Sequence, residues 1–234
     1  MMRFCWLLLL CFPAIAEAQH QGSIFWRGSM RETMRQGKLD ARVKTDTISS
    51  GKAVYGIGPL AGLKGELLLR DGQLYQSRIL PDGMLRTTTV SSAGAPFFVY
   101  TQVSHWKEIT TGNAVHTLTD LETALAKLQQ GNQAFVFRVT GTVDSARIHC
   151  VNLPDGTVVQ SPDDAHQGLQ KWILLQRPVE LTGFFSTEHT GIFVHHTSPI
   201  HAHLLTQDIP LQMGHLEEIW FQKNTVKIWI SAAR

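Results

Sequence analysis

Gly65-Glu66-Leu67-Leu68-Leu69-Arg70-Asp71-Gly72-Gln73-Leu74-Tyr75-Gln76 is the stretch that decides the fold class. Two apolar-rich runs, Glu66 to Leu69 and Gln73 to Gln76, flank Asp71-Gly72. A two-residue hairpin turn needs positive φ at both central positions, and Asp-Gly meets that need at little steric cost. The stretch therefore predicts two antiparallel strands. Side chains alternate along a strand, so Glu66 shares a face with Leu68 while Leu67 and Leu69 take the other. In isolation a carboxylate there, beside a turn, reads as edge-exposed and inert.

The same signals recur outward from the hairpin. Residues 97–103, 134–139, 146–151, 179–185 and 191–196 are rich in β-branched and aromatic residues and bounded by Gly, Pro, Asp or Asn. Residues 225–230 alternate, with Val226, Ile228 and Ile230 on one face. Two segments read as helices. Thr119 and Glu122 form a capping box, Leu121, Leu125 and Leu128 line one face, and Gly131 ends the helix. Ser29 and Glu32 repeat the box for a shorter helix stopped by Gly37. Both are expected to cover an end of a sheet. The fold class is mainly β with a minor α component and no internal repeat. A polar stretch between Ser104 and Asp120 marks a boundary, giving an N-terminal β domain over 19–110 and a C-terminal one over 111–234.

Of the 234 residues, 43% are hydrophobic and 17% charged, which suits a packed core and not a disordered chain. The net charge of +2 comes without any basic run, so nucleic acid is not an expected partner. Met1-Met2-Arg3, the apolar run from Phe4 to Ala16, and Ala16-Glu17-Ala18 have the form of an export signal over 1–18. The expected mature chain starts near Gln19 in the periplasm or outside the cell. With no later apolar segment of ~20 residues, no membrane partner is expected after cleavage. Cys5 and Cys11 would leave with the signal. Cys150 then stands alone, so no internal disulfide is expected.

Histidine carries the chemistry. His201-Ala202-His203 lies in the apolar run 200–205, and residues two apart on a strand point to one face. His215 follows twelve residues after His203, beside Gly214, a distance that allows a loop and a return strand. Three neutral imidazoles suit Zn²⁺ and leave a fourth position open, as in catalytic sites. The alternative is that His201 and His203 are ordinary strand residues. His189, His195 and His196 are rival ligands, although adjacent residues on a regular strand cannot both face one ion.

The ordered motifs resemble one known family. Residues 58–67, then Asp71-Gly72 and Tyr75-Gln76, are similar to the α-acetolactate decarboxylase segment in which a glycine-bounded stretch leads into G-E-L/M, D-G and Y-Q. Ala95-Pro96-Phe97 resembles that family's T-P-F, and residues 137–142 resemble its next strand. His201-x-His203 through Gly214-His215-Leu216 resembles its H-x-H followed by G-G-H-V. The resemblance runs from about Phe25 to Ile219. It implies two barrel-like β-sheet domains with a few short helices and a Zn²⁺ between them, on His201, His203 and His215. It also implies conversion of 2-acetolactate, a 2-hydroxy-3-keto acid, to acetoin and CO₂, with Glu66 as proton donor. The chain departs from the family in having His149 at the position of a substrate-binding arginine. Arg147, two residues earlier on the same strand face, or His149 itself is expected to orient the substrate carboxylate. No acidic residue follows Glu218, where the family has a further glutamate, and an export signal is not general in the family. An exported zinc-binding β scaffold with lost or changed activity is the alternative function. A homodimer is the protein partner left open.

Overall fold

The computed structural model describes residues 19–21, 24–48, 51–110 and 114–231; the signal expected over 1–18 lies outside them. In chain order the first half comprises β1 (Gln19–Gln21), β2 (Ile24–Arg27), α1 (Met30–Gln36), β3 (Val43–Lys44), β4 (Val54–Pro59) and β5 (Glu66–Arg70). It continues with β6 (Gln73–Ile79), β7 (Leu85–Val90), β8 (Gly94–Ala95) and β9 (Phe98–Gln102). The second half comprises β10 (Trp106–Ile109), α2 (Leu118–Ala126), β11 (Phe135–Cys150), α3 (Pro162–Ala165) and β12 (Gln170–Leu175). It ends with β13 (Pro178–Phe185), β14 (Ile200–Thr206), β15 (Met213–Phe221) and β16 (Lys227–Ser231). Among the described residues no helix is long and apolar enough to cross a membrane.

Two seven-stranded sheets result. The first runs β1-β2-β9-β4-β5-β6-β7, and the second runs β10-β16-β11-β13-β14-β15 with β12 beside β11. β11 also pairs with β15, which closes a ring of β11, β13, β14 and β15. The mainly β expectation with barrel-like closure and few helices therefore holds. β10 lies before residue 110 in the chain yet pairs with β16 of the second sheet.

The hairpin forms as read. Asp71 and Gly72 both have positive φ (50° and 78°), and β5 pairs with β6 in register from Glu66↔Ser77 to Arg70↔Gln73. A Cβ at Gly72 would stand 2.7 Å from the Gly51 carbonyl, so glycine is required twice over there. Leu67 and Leu69 pack into a core on the outer face of the first sheet with Val54 and Phe98. Leu68 faces the other way, into the core shared between the sheets with Ile57, Val99, Phe184, Leu205 and Met213. Glu66 goes with Leu68 and is 3% exposed. The edge-exposed reading of Glu66 is thus overturned, because a second sheet covers that face.

Several boundaries differ from expectation. The runs 134–139 and 146–151 belong to one strand, β11. Gly141 within it is no break: it makes room for the Phe221 ring, 3.0 Å from where a Cβ would stand. Residues 191–196 form a turn, since the amides of Ile192, Phe193 and Val194 all donate to the His189 carbonyl. Helix α2 begins earlier than Thr119. Thr117 is the N-cap, and Asp120 completes the capping box by accepting from the Thr117 amide at 2.9 Å. It ends at Ala126 with Lys127 as C-cap, before Gly131. Ser29 does cap α1, and Gly37 ends it in the left-handed conformation.

Candidate metal centre and acid

One cross-strand row builds the site. Register places Thr182, His203, His215, His149 and Lys171 side by side on β13, β14, β15, β11 and β12. Alternation turns Ala202, Leu204, Ile148 and Leu216 into the ring's own core. The histidines on these strands consequently stand on its outer face, toward the first sheet. Gly214 brings β15 close: a Cβ there would lie 2.6 Å from the His149 carbonyl.

His201, His203 and His215 each offer a ring nitrogen, and these three atoms lie within 4.8 Å of one another. Two observations fit the triad to a metal. The His201 Nδ1–H donates to the Phe193 carbonyl at 2.8 Å, an acceptor-only partner, so Nε2 carries the free lone pair. His203 is fully buried, and its Nε2, the nitrogen that faces Glu66, has no hydrogen-bond partner. Buried polar atoms are rarely left so without a reason. Burial, reinforced by neighbouring imidazoles, pushes all three rings down, His203 to about 3. They are therefore neutral, the form that binds a cation.

Glu66 reaches the triad from the first sheet. Its Oε2 stands 3.7 Å from His203 Nε2, and its Oε1 accepts from the Val151 amide at 3.2 Å. Burial pushes its carboxyl up to about 8, against the opposing pull of the Val151 bond. Burial thus favours the protonated form of the carboxyl.

His149 lies against His215, the ring centroids 4.5 Å apart and nearly parallel. Its Nδ1 donates to Glu217 Oε1 at 3.0 Å; an ionised carboxylate can only accept, so Nε2 is the atom left for the cavity. Glu217 is held well below the usual carboxylate range, at about 2, by His149 first and Lys171 next. Arg147 shares the His149 face as expected, but its Nε donates to Glu217 Oε2 at 2.9 Å and it also pairs with Glu218. The cavity holding Glu66 is lined by His149, His166, His195, His201 and His215, together with Met30 and Met34 of α1. Arg147 meets this site through Glu217.

Glu217 and His166 are site residues that sequence reasoning missed, while His195, one of the rival ligands, lines the cavity. Glu217 follows His215 by two, a same-face spacing that pointed to it. Its aim depends on a bulge, where the register steps from Arg147↔Glu218 to Ile148↔Leu216 and leaves Glu217 over. Of the rivals, His189 is accounted for elsewhere: it bonds Ser186 at 2.8 Å and packs on Trp26 and Phe193. His196 is exposed.

Fold and site together define a two-sheet β protein with a three-histidine cluster that could hold a metal, facing a buried acid. The family model for alpha-acetolactate decarboxylase matches residues 25–233, and the chain belongs to that family. The alpha-acetolactate decarboxylase of Bacillus subtilis strain 168 has the same fold, with a TM-score of 0.73 at 22% identity over 89% of this chain and 86% of that one. A Staphylococcus aureus protein of unknown function, similar to alpha-acetolactate decarboxylase, gives 0.72 at 15% identity over 88% and 84%. No curated protein matches in sequence.

Proposed function

We propose that the protein is an exported decarboxylase that converts 2-acetolactate to acetoin and CO₂, with Zn²⁺ held by His201, His203 and His215. The observation that carries this reading is the buried Glu66 carboxyl facing the triad. The substrate is a 2-hydroxy-3-keto acid. Breaking its C1–C2 bond releases CO₂ and leaves the electron pair on C2, conjugated with the ketone. When bound, the metal supplies a Lewis acid for the ketone and hydroxyl oxygens. Glu66 then delivers its proton to C2, and water restores the carboxyl proton. His149, fixed by Glu217, presents Nε2 to the substrate carboxylate where the family has an arginine. Arg147, together with Lys171, holds Glu217 in place and is a positioning residue. Met30, Met34 and Phe97 keep the cavity apolar, which strengthens each polar contact within it.

The test is metal content and acetoin formation by the purified mature protein, using racemic acetolactate. One metal per chain and acetoin are expected, with metal lost in His203→Ala. A fully loaded His203→Ala protein would overturn the ligand assignment. A loaded wild type that makes no acetoin would favour a zinc-binding scaffold, the reading that His149 in place of arginine supports. Export is tested separately. Protein from the periplasm or medium should begin near Gln19, and an intact Met1 on cytoplasmic material would end that part of the proposal.

A further inference from the structure

His195 approaches the triad from a different part of the chain. Its ring centroid lies 4.9 Å from that of His215 and 5.7 Å from that of His201, edge-on to both. The triad's own rings are 5.0 to 5.6 Å apart, so His195 keeps ligand-like distances to two of its members. Its Nε2 is buried and has no hydrogen-bond partner. The three triad nitrogens form the cluster within 4.8 Å, and His195 stands just outside it. The backbone explains both its nearness and its separation. The turn at 189–194 is bonded to itself and to the start of α1, where the Met30 and Arg31 amides donate to Ile192 and Gly191. Pairing resumes at Ile200 with β14. His195 sits between these anchors, free of the ladder that fixes His201, His203 and His215.

We propose that His195 is a fourth histidine ligand, closing the metal's shell in the resting protein and yielding its place to a chelating molecule. Four protein ligands make a closed zinc site and three leave an open one, so a ligand on a turn gives both states to one site. The same ring lines the inner cavity with Glu66 and the neighbouring cleft with Thr197, Ser198 and Glu217. The inference rests on the metal-site reading above and is independent of decarboxylation.

Cobalt(II) tests it, because its visible absorption reports coordination number. Metal-free wild type, His195→Ala, His195→Gln and His196→Ala are titrated with Co²⁺, then with oxalate as a chelating probe. Both His195 variants should bind Co²⁺ about tenfold or more weakly and show an altered spectrum. His196→Ala should match wild type, and oxalate should abolish the spectral difference between wild type and the His195 variants. Affinities and spectra of both His195 variants equal to wild type would overturn the proposal, as would a wild type that binds no Co²⁺. A His195-dependent spectrum without acetoin formation would leave the proposal standing and remove the decarboxylase reading. Acetoin formation with a His195-independent spectrum would do the reverse.

Discussion

Glu66 and Glu217 show how one side chain can be given opposite states by its surroundings. Glu66 accepts a hydrogen bond from Val151 and is otherwise buried beside the imidazoles, and that burial pushes its carboxyl up to about 8. Glu217 has His149, Lys171 and Arg147 around it and stays ionised. In the proposed mechanism the first gives a proton and the second holds a ring. Glu66→Gln is isosteric but cannot transfer a proton. It should keep bound metal and thermal stability while acetoin formation falls by about 10²- to 10⁴-fold. Unchanged turnover in that variant would remove Glu66 from the mechanism. Glu217→Ala should raise KM for acetolactate by about tenfold or more with metal content intact, in the range of outer-shell orienting contacts. Arg147→Ala should do less, because Lys171 still holds the carboxylate at 2.8 Å. Equal effects of the two substitutions would mean that Arg147 touches substrate directly.

Elements built from local chemistry were legible in the sequence. The hairpin β5-β6 followed from Asp71-Gly72, and α1 from Ser29 and Gly37. The pairing of His201 with His203 followed from alternation alone. What failed depended on distant partners. Gly141 looked like a strand end until the Phe221 ring beside it was known, and the apolar Phe193-Val194 looked like a strand although a turn buries them. Two capping boxes overlapped at Thr117/Asp120 and Thr119/Glu122. The earlier one prevails, with Phe221 donating its amide to the His116 carbonyl just before it. Glu32 on α1 provides a pH test at this scale. Arg42 and Lys38 hold its carboxyl down from 4.5 to about 2. Because the folded value is the lower one, its contribution to stability is complete above pH 4.5 and is lost as pH falls toward 2. In thermal melts across that window, Glu32→Gln should flatten part of the fall in Tm seen for wild type. Parallel pH profiles would show that these exposed pairs add nothing, as many do.

In the whole molecule, Glu66 and the histidine triad belong to different sheets, so the site exists only while the sheets are docked. A buried clamp holds them. Glu180 on β13 accepts from Arg70 of β5 at 2.7 and 2.8 Å and from Arg138 of β11 at 3.0 Å. The Arg138 guanidinium also lies over Trp106, at 5.5 Å, and Trp229, at 5.7 Å. Removing the shared carboxylate leaves two cations facing each other. Glu180→Ala should lower unfolding free energy by about 3 kcal/mol, the low end for a broken buried pair, since both arginines reach solvent. Denaturant melts measure this, and a loss below about 1 kcal/mol would mean the sheets are held by their apolar core alone. β11 has a further consequence, in time. Its 16 residues are flanked by β13 and β16 along one half and by β12 and β15 along the other, and the last of these partners ends at Ser231. Contacts so far apart in sequence make for slow folding, of the order of milliseconds to seconds. The ring of β11, β13, β14 and β15 cannot close until β15, which ends at Phe221, has been synthesised, so a nascent β11 must wait for its last partner in the ring.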